Sequence, residues 1–267
     1  MRWIVGDIHG MLKPLEAVLA AVAREDPYAL LYFAGDYVNR GPASRQVIDL
    51  LLALGDVAKF IRGNHDDMFQ LILTESCYSE NDAVGKPQLA VTWFLDYGLG
   101  KTLESYGFSH EDVQKVKADP AGWLDRIRQA VPERHKAFLK ELPPIIEEDD
   151  FFVAHAYWYP ADGSPADSIA DRLTNNARAR RDVVWTRFAE REVMGPKTWP
   201  RVGYFGHTPV PYYANLLPRP FHPVRGPQAI LLDTAAATDP KGRLTAYCHD
   251  TQTFIQSDRE GNIVVND

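Results

Sequence analysis

Three short stretches place potential cation ligands directly after apolar runs. Gly6-Asp7-Ile8-His9-Gly10 follows Trp3-Ile4-Val5, and Gly35-Asp36-Tyr37-Val38-Asn39-Arg40-Gly41 follows Leu30-Leu31-Tyr32-Phe33-Ala34. Arg62-Gly63-Asn64-His65-Asp66 follows Val57-Ala58-Lys59-Phe60-Ile61. His155 and His207 stand after two later apolar runs, Phe151-Phe152-Val153-Ala154 and Val202-Gly203-Tyr204-Phe205. Asp7, His9, Asp36, Asn64, His155 and His207 together offer two carboxylates, one amide oxygen and three imidazoles. That mixture suits a pair of divalent ions of borderline hardness, such as Mn, Fe or Zn, better than the all-oxygen shells preferred by Ca or Mg. Asp36, in the middle stretch, is the natural bridge between two ions. A lone His after a buried strand is usually a hydrogen-bonded structural residue, and an isolated Gly-Asp is usually a turn. Six ligand-type residues at successive strand ends outweigh those separate readings. Two ions held this way would lower the pKa of a bridging water, orient it for in-line attack and neutralise phosphoryl oxygens, which is the chemistry of phosphoester hydrolysis.

His65 follows the ligand Asn64 directly, so its side chain projects elsewhere and could protonate a leaving oxygen, an effect typically worth about 10²–10⁴-fold. Arg40, Arg62 and Arg187 are candidates to clamp phosphoryl oxygens through forked hydrogen bonds that Lys cannot reproduce. The neighbouring Arg172, Arg178, Arg180, Arg181 and Arg191 read as a solvated helix face.

The elements that must position these groups follow from periodicity. Leu12, Leu15, Val18, Leu19 and Val22 recur at helical spacing with Pro14 in the first turn, and Val47, Ile48, Leu51 and Leu52 do the same between a Ser44 cap and Gly55. Strand–helix alternation predicts two βαβ units, with the first three strands adjacent and parallel. Ligands in such open sheets lie beyond the carboxyl ends of the strands, so the three loops should converge there. From about residue 76 to 148 the pattern is helix-like and reads as a helical cap inserted into a single domain spanning 1–267. The C-terminal half is strand-rich, and the Pro-rich run from Pro209 to Pro227 reads as surface loops.

A chain of 267 residues with 45% hydrophobic residues can bury a large core. Its net charge of -7 argues against a protein devoted to nucleic acid or anionic membranes. Two cysteines without a CxxC indicate neither a disulfide framework nor a structural zinc site. With no apolar span of bilayer length, the expected setting is the cytoplasm.

In order and composition these motifs resemble the bacterial and phage branch of the phosphoprotein phosphatases, within the calcineurin-like metallophosphoesterases, with a layout similar to the lambda phage phosphatase. The likeness runs from Trp3 to about His249 and includes Leu142-Pro143-Pro144, Ala154-His155-Ala156, Val184-Trp185-Thr186-Arg187, Phe205-Gly206-His207-Thr208-Pro209 and Leu232-Asp233-Thr234. The resemblance implies a four-layer αββα sandwich with a dinuclear, usually Mn-supported centre. It implies that Asp7, His9 and Asp36 hold one ion and that Asp36, Asn64, His155 and His207 hold the other. It implies further that His65 is the general acid, that Arg40, Arg62 and Arg187 contact phosphate, and that Asp233 supports the site.

One residue departs from that pattern. Asn39 stands where the family has an Asp that pairs with the motif histidine, so His65 would lose electrostatic support for its protonated form while still finding a carbonyl acceptor. The symmetrical diadenosine tetraphosphatases also lack that Asp and also continue Arg-Gly-Pro-x-Ser, as Arg40-Gly41-Pro42-Ala43-Ser44 does here. The leading expectation is a phosphomonoesterase resembling protein serine/threonine phosphatases, acting on a phosphorylated protein or a small phosphoester. The alternatives are a diadenosine polyphosphate hydrolase acting on a nucleotide, a phosphodiesterase, and a non-enzymatic scaffold that binds a phosphorylated ligand. Two smaller departures are Asp66 in place of Glu and Ala235 in place of Gly.

Overall fold

A computed structural model describes residues 1–79, 85–158, 169–174, 176–196, 199–216 and 219–264. The chain opens with β1 (Arg2–Val5), α1 (Leu12–Glu25), β2 (Leu30–Phe33), α2 (Ser44–Ala53), β3 (Ala58–Phe60) and α3 (Asn64–Thr74). Five helices follow, α4 (Pro87–Leu95), α5 (Leu99–Ser105), α6 (His110–Ala118), α7 (Leu124–Ala130) and α8 (Glu133–Glu141). Then come β4 (Ile145–Glu147), β5 (Phe151–Ala154), α9 (Ile169–Thr174), α10 (Ala177–Trp185), α11 (Glu190–Met194) and β6 (Val202–Phe205). The chain ends with β7 (Val224–Arg225), β8 (Ala229–Leu231), β9 (Leu244–Cys248), β10 (Phe254–Ser257) and β11 (Ile263–Val264).

The strands form two sheets, ordered β11-β10-β9-β1-β2-β3 and β4-β5-β6-β8-β7. As the strand–helix alternation predicts, β1, β2 and β3 are adjacent and parallel; β5, β6 and β8 are a second parallel set. Strand alternation sets the layers, since successive side chains point to opposite faces. Ile4 and Tyr32 meet Phe151, Val153, Tyr204 and Ile230 between the sheets, while Trp3 and Val5 face α1 and the other helices on the outer side. The outer face of the second sheet, with Phe152, Ala154 and Phe205, packs against Val183, Val184 and Val193 of α10 and α11. The result is helix, sheet, sheet, helix: the expected αββα sandwich.

Several local expectations shift. Ser44 is the first residue of α2 rather than its cap, and Ala43 occupies the cap position. The Ser44 hydroxyl instead accepts from the Asn39 amide and contacts Thr102 Oγ1 at 2.9 Å. The helical stretch ends before residue 148, because Ile145–Glu147 form β4, antiparallel to β5. Within the Pro-rich run, Val210–Leu216 coil into 3₁₀ turns with Val210 and Tyr213 buried, and Val224–Arg225 pair with β8. Tyr213 belongs to the core because its hydroxyl finds the Phe188 carbonyl at 2.9 Å. Among the described residues, no helix is long and apolar enough to cross a membrane.

Candidate active site

Every site loop leaves the carboxyl end of a parallel strand: Asp7 and His9 after β1, Asp36 after β2, Asn64 and His65 after β3, His155 after β5 and His207 after β6. Backbone bonds lash the loops together, from His9 N to Asp36 O (2.7 Å), Gly41 N to His9 O (2.8 Å) and Gly206 N to His155 O (2.8 Å). Asp66 accepts from the amides of Asp36, Tyr37 and Gly63 at 2.7, 2.9 and 3.0 Å, fixing the bend that carries Asp36. His9, Asp36 and His207 all sit in the left-handed region, at φ 48°, 56° and 67°. Such conformations are strained for residues with a Cβ and persist where surrounding contacts impose them.

The glycines serve a narrower purpose than turning the chain. A Cβ on Gly63 would overlap Asp36 Oδ1, and one on Gly206 would overlap Asp7 Oδ1. What approaches these glycines is the carboxylate of a neighbouring loop.

Three of the imidazoles spend one nitrogen each on a backbone carbonyl. His9 Nδ1 donates to Val38 O at 3.0 Å, His155 Nδ1 to Ala34 O at 2.7 Å, and His207 Nε2 to Trp185 O at 3.0 Å. On His9 and His207, both held neutral by burial, the remaining nitrogen turns its lone pair toward an oxygen that is also an acceptor. His155 Nε2 lies 3.0 Å and His207 Nδ1 lies 2.9 Å from Asn64 Oδ1, while His9 Nε2 and His155 Nε2 lie 3.4 and 3.5 Å from Asp36 Oδ2. Asp7 Oδ1 is buried without a hydrogen-bond partner among the described residues. Acceptors facing acceptors, with an orphaned carboxylate oxygen among them, are stabilised by cations. Two compact groups stand out, Asp7–Asp36–His155 and His9–Asp36–His65, and Asp36 belongs to both. The donor set therefore fits two divalent ions with Asp36 between them.

The electrostatics carry the same signature. Burial would raise the Asp36 carboxyl, yet the surrounding imidazoles of His155, His65 and His9 hold it well below the usual range. Burial works against a proton on His155, but the Asp36 carboxylate outweighs it and pushes the pKa up to about 10. Asp7 is raised by burial and by Asp233. Burial lowers His9 to about 4 and His207 to about 3, the latter helped by His155. Without metal the cluster offsets its negative charge with a proton on His155.

Beside the ligands opens a cavity of about 180 Å³ lined by Arg40, His65, Trp93, Tyr97, Trp185 and Arg187, among others. Arg40 and Arg187 thus bring two guanidinium groups to this cavity, and the buried Arg40 Nε has no partner among the described residues. Arg62 is not brought there. Its guanidinium donates to Leu142 O (3.0 and 3.3 Å), Lys140 O (3.0 Å) and Asp67 Oδ1 (3.2 Å), and also to Gln70 Oε1, which makes it a buried strut between α3 and the end of α8.

Asn39 does reach His65, but as a donor: Asn39 Nδ2 lies 2.9 Å from His65 Nδ1. Its Oδ1 accepts from the Thr102 hydroxyl at 3.0 Å, so the expected acceptor role toward His65 is displaced by a residue of α5. Phe94 stacks edge-on against His65 with ring centroids 4.9 Å apart, and Gly98 O accepts from Arg40 N at 3.3 Å. Thr102, Phe94 and Gly98 carry no motif. The apolar run Trp93-Phe94-Leu95 and the Gly98/Gly100 break are their traces in the sequence.

Residues 2–211 match the sequence model of the calcineurin-like phosphoesterases. The symmetrical bis(5'-nucleosyl)-tetraphosphatase of Pectobacterium carotovorum subsp. carotovorum is 42% identical over 64 residues, 24% of this chain and 23% of that protein. Its counterpart from Yersinia pestis is 37% identical over 94 residues, 35% of this chain and 30% of that protein. The chain therefore spans less than a third of the length of these curated relatives. The crystal structure of a candidate diadenosine tetraphosphatase superposes with a TM-score of 0.53 at 23% identity, covering 96% of this chain and 92% of that one, a likeness of fold.

Proposed function

Because the chain belongs to the calcineurin-like phosphoesterase family, we propose that it hydrolyses phosphoric anhydrides with nucleotide leaving groups, dinucleoside polyphosphates being the substrate class. In this reading Asp7, His9 and Asp36 hold one divalent ion, Asp36, Asn64, His155 and His207 hold a second, and Mn is the first candidate for both. Such ions supply a water nucleophile at neutral pH and neutralise charge on the phosphoryl oxygens. Arg40 and Arg187 orient the phosphate through charge-assisted bonds.

The observation that carries the substrate class is the Asn39–His65 contact. With Nδ1 accepting from an amide, His65 keeps its proton on Nε2, and an imidazolium would set an N–H against the Asn39 NH₂. Burial further holds His65 well below its ordinary pKa, with Asp36 opposing and His9 and Arg40 reinforcing. A neutral imidazole is a poor proton donor, so alkoxide leaving groups suffer most. A nucleotide phosphate, whose second pKa is about 6, departs as a stable anion and needs little help. The partial matches to symmetrical tetraphosphatases support the same choice.

The test is a side-by-side assay of Mn-loaded protein on diadenosine tetraphosphate, a phosphoserine peptide and a phosphodiester. We expect kcat/KM on the tetraphosphate to exceed that on the peptide by roughly 100-fold, the scale of one lost acid. Equal or faster turnover of the peptide would sink the reading.

A further inference from the structure

The cavity beside the phosphate-facing arginines has an aromatic wall. Trp93, Phe94, Tyr97 and Trp185 line it together with Arg40 and Arg187. Phe94 is buried against His65 and belongs to the packing, but Trp93 and Tyr97 keep 37% and 43% of their surface exposed. Trp93 lies nearly parallel to Trp185, at 10° with centroids 6.0 Å apart, and Tyr97 meets Trp93 edge-on at 6.2 Å. Flat rings left open beside cationic groups bind planar partners well, because stacking tolerates any base and Arg secures the attached phosphate.

The plane of Trp185 is not left free. Its indole Nε1 donates to Ser79 Oγ at 3.2 Å, and Ser79 Oγ donates to Asp67 Oδ2 at 2.6 Å. Asp67 is fully buried and is held by Arg62 Nη1 at 3.2 Å and by the Tyr78 amide at 2.7 Å. The carbonyl of Trp185 meanwhile accepts from His207 at 3.0 Å, so the ring is fixed relative to the candidate metal ligands. The strut that Arg62 makes thereby has a purpose: it anchors the relay ending at this indole.

We propose that Trp93, Tyr97 and Trp185 form a shelf for the heteroaromatic base of a nucleotide substrate, and that Ser79 is the positioning residue that sets the plane of Trp185. The proposal rests on the nucleotide reading above, and its test reads binding rather than turnover. ADP and pyrophosphate are titrated against the Mn-loaded full chain by calorimetry and tryptophan fluorescence. The two probes share a diphosphate and differ by the adenosine, so the ratio of their affinities reports the nucleoside, and the Trp93 variants assign its share to stacking of the base. ADP should bind about 10- to 100-fold tighter than pyrophosphate and quench the emission. Trp93→Ala should collapse that ratio, Trp93→Phe should keep most of it, and Ser79→Ala should lower it several-fold while Ser79→Thr restores it. Wild-type protein that binds ADP no more tightly than pyrophosphate overturns the shelf, as does Trp93→Ala weakening both probes equally. An unchanged ratio in Ser79→Ala overturns the positioning role. Protein that discriminates the two probes yet fails to hydrolyse diadenosine tetraphosphate supports the shelf and sinks only the catalytic reading.

Discussion

Asn39 Nδ2 lies 2.9 Å from His65 Nδ1, and Thr102 on helix α5 holds the other end of the amide. A carboxylate at position 39 would invert this contact: it would accept from Nδ1–H and favour the imidazolium that protonates a leaving oxygen. Asn39→Asp is expected to raise kcat on an alkyl phosphate by at least about 10-fold, within the range of general acid catalysis. On an aryl phosphate the gain should be small. Steady-state rates on the two esters check this, and an aryl-to-alkyl ratio that stays constant would be fatal to the idea.

Thr102→Val tests who sets the amide's orientation. The hydroxyl accepts from Asn39 N at 2.8 Å and contacts Ser44 Oγ at 2.9 Å, all three residues being buried. Its loss leaves the buried Asn39 Oδ1 without its donor and Asn39 N with Ser44 Oγ alone, so stability should fall by about 1–3 kcal/mol. Urea unfolding of the metal-free protein measures it; a change under about 0.5 kcal/mol means that the cluster is not holding Asn39.

The route to the site could be read from sequence because ligand-type residues recur directly after apolar runs, and a parallel sheet sends all such ends the same way. That logic expects Asp7, His9, Asp36, Asn64, His155 and His207 to converge at one sheet edge, and the structure brings these six side chains together there. It fails for Arg62, which shares a loop with Asn64 but turns toward Leu142, since a motif says nothing of which side chain of a turn faces inward. It fails also for Ser44, whose cap signal was overridden by the tertiary partner Thr102. Phe94, Gly98 and Thr102 reach the site from a helical segment whose periodicity reports burial alone, and burial does not separate packing from catalysis.

Metal uptake should depend steeply on pH, and the direction follows from His155. Its proton is held up to about 10 by Asp36 in the metal-free site, and a cation binding at Nε2 must displace it. Below that pKa, each unit of rising pH should strengthen binding by about 10-fold, with proton release on binding. Calorimetry of Mn binding in buffers of different ionisation enthalpy counts the proton; a heat independent of buffer would refute it.

Arg62 and Arg40 should fail differently. Arg62→Met removes one partner of a buried ion pair with Asp67 and should cost about 3–5 kcal/mol of stability. Arg40→Ala removes an anion-facing group and should lower kcat/KM by about 10- to 100-fold with little change in melting temperature. Thermal melts beside kinetics decide: a marginal stability loss in Arg62→Met would return Arg62 to the list of phosphate contacts.

The glycines give the sharpest contrast, because each holds space for a different carboxylate. A methyl group at position 206 would displace Asp7, while one at position 63 would displace Asp36. Overpacking of this kind costs about 1–3 kcal/mol, which either the backbone or the carboxylate must absorb. Asp7 serves one proposed ion and Asp36 serves both, so Gly206→Ala should retain about one ion per chain and Gly63→Ala neither. Metal content after gel filtration, with far-ultraviolet circular dichroism to confirm that both variants fold, separates the two. If folded Gly63→Ala still carries two ions, Asp36 is not the bridge, and the ring nitrogens of His9 and His155 that converge on its Oδ2 at 3.4 and 3.5 Å serve some other purpose.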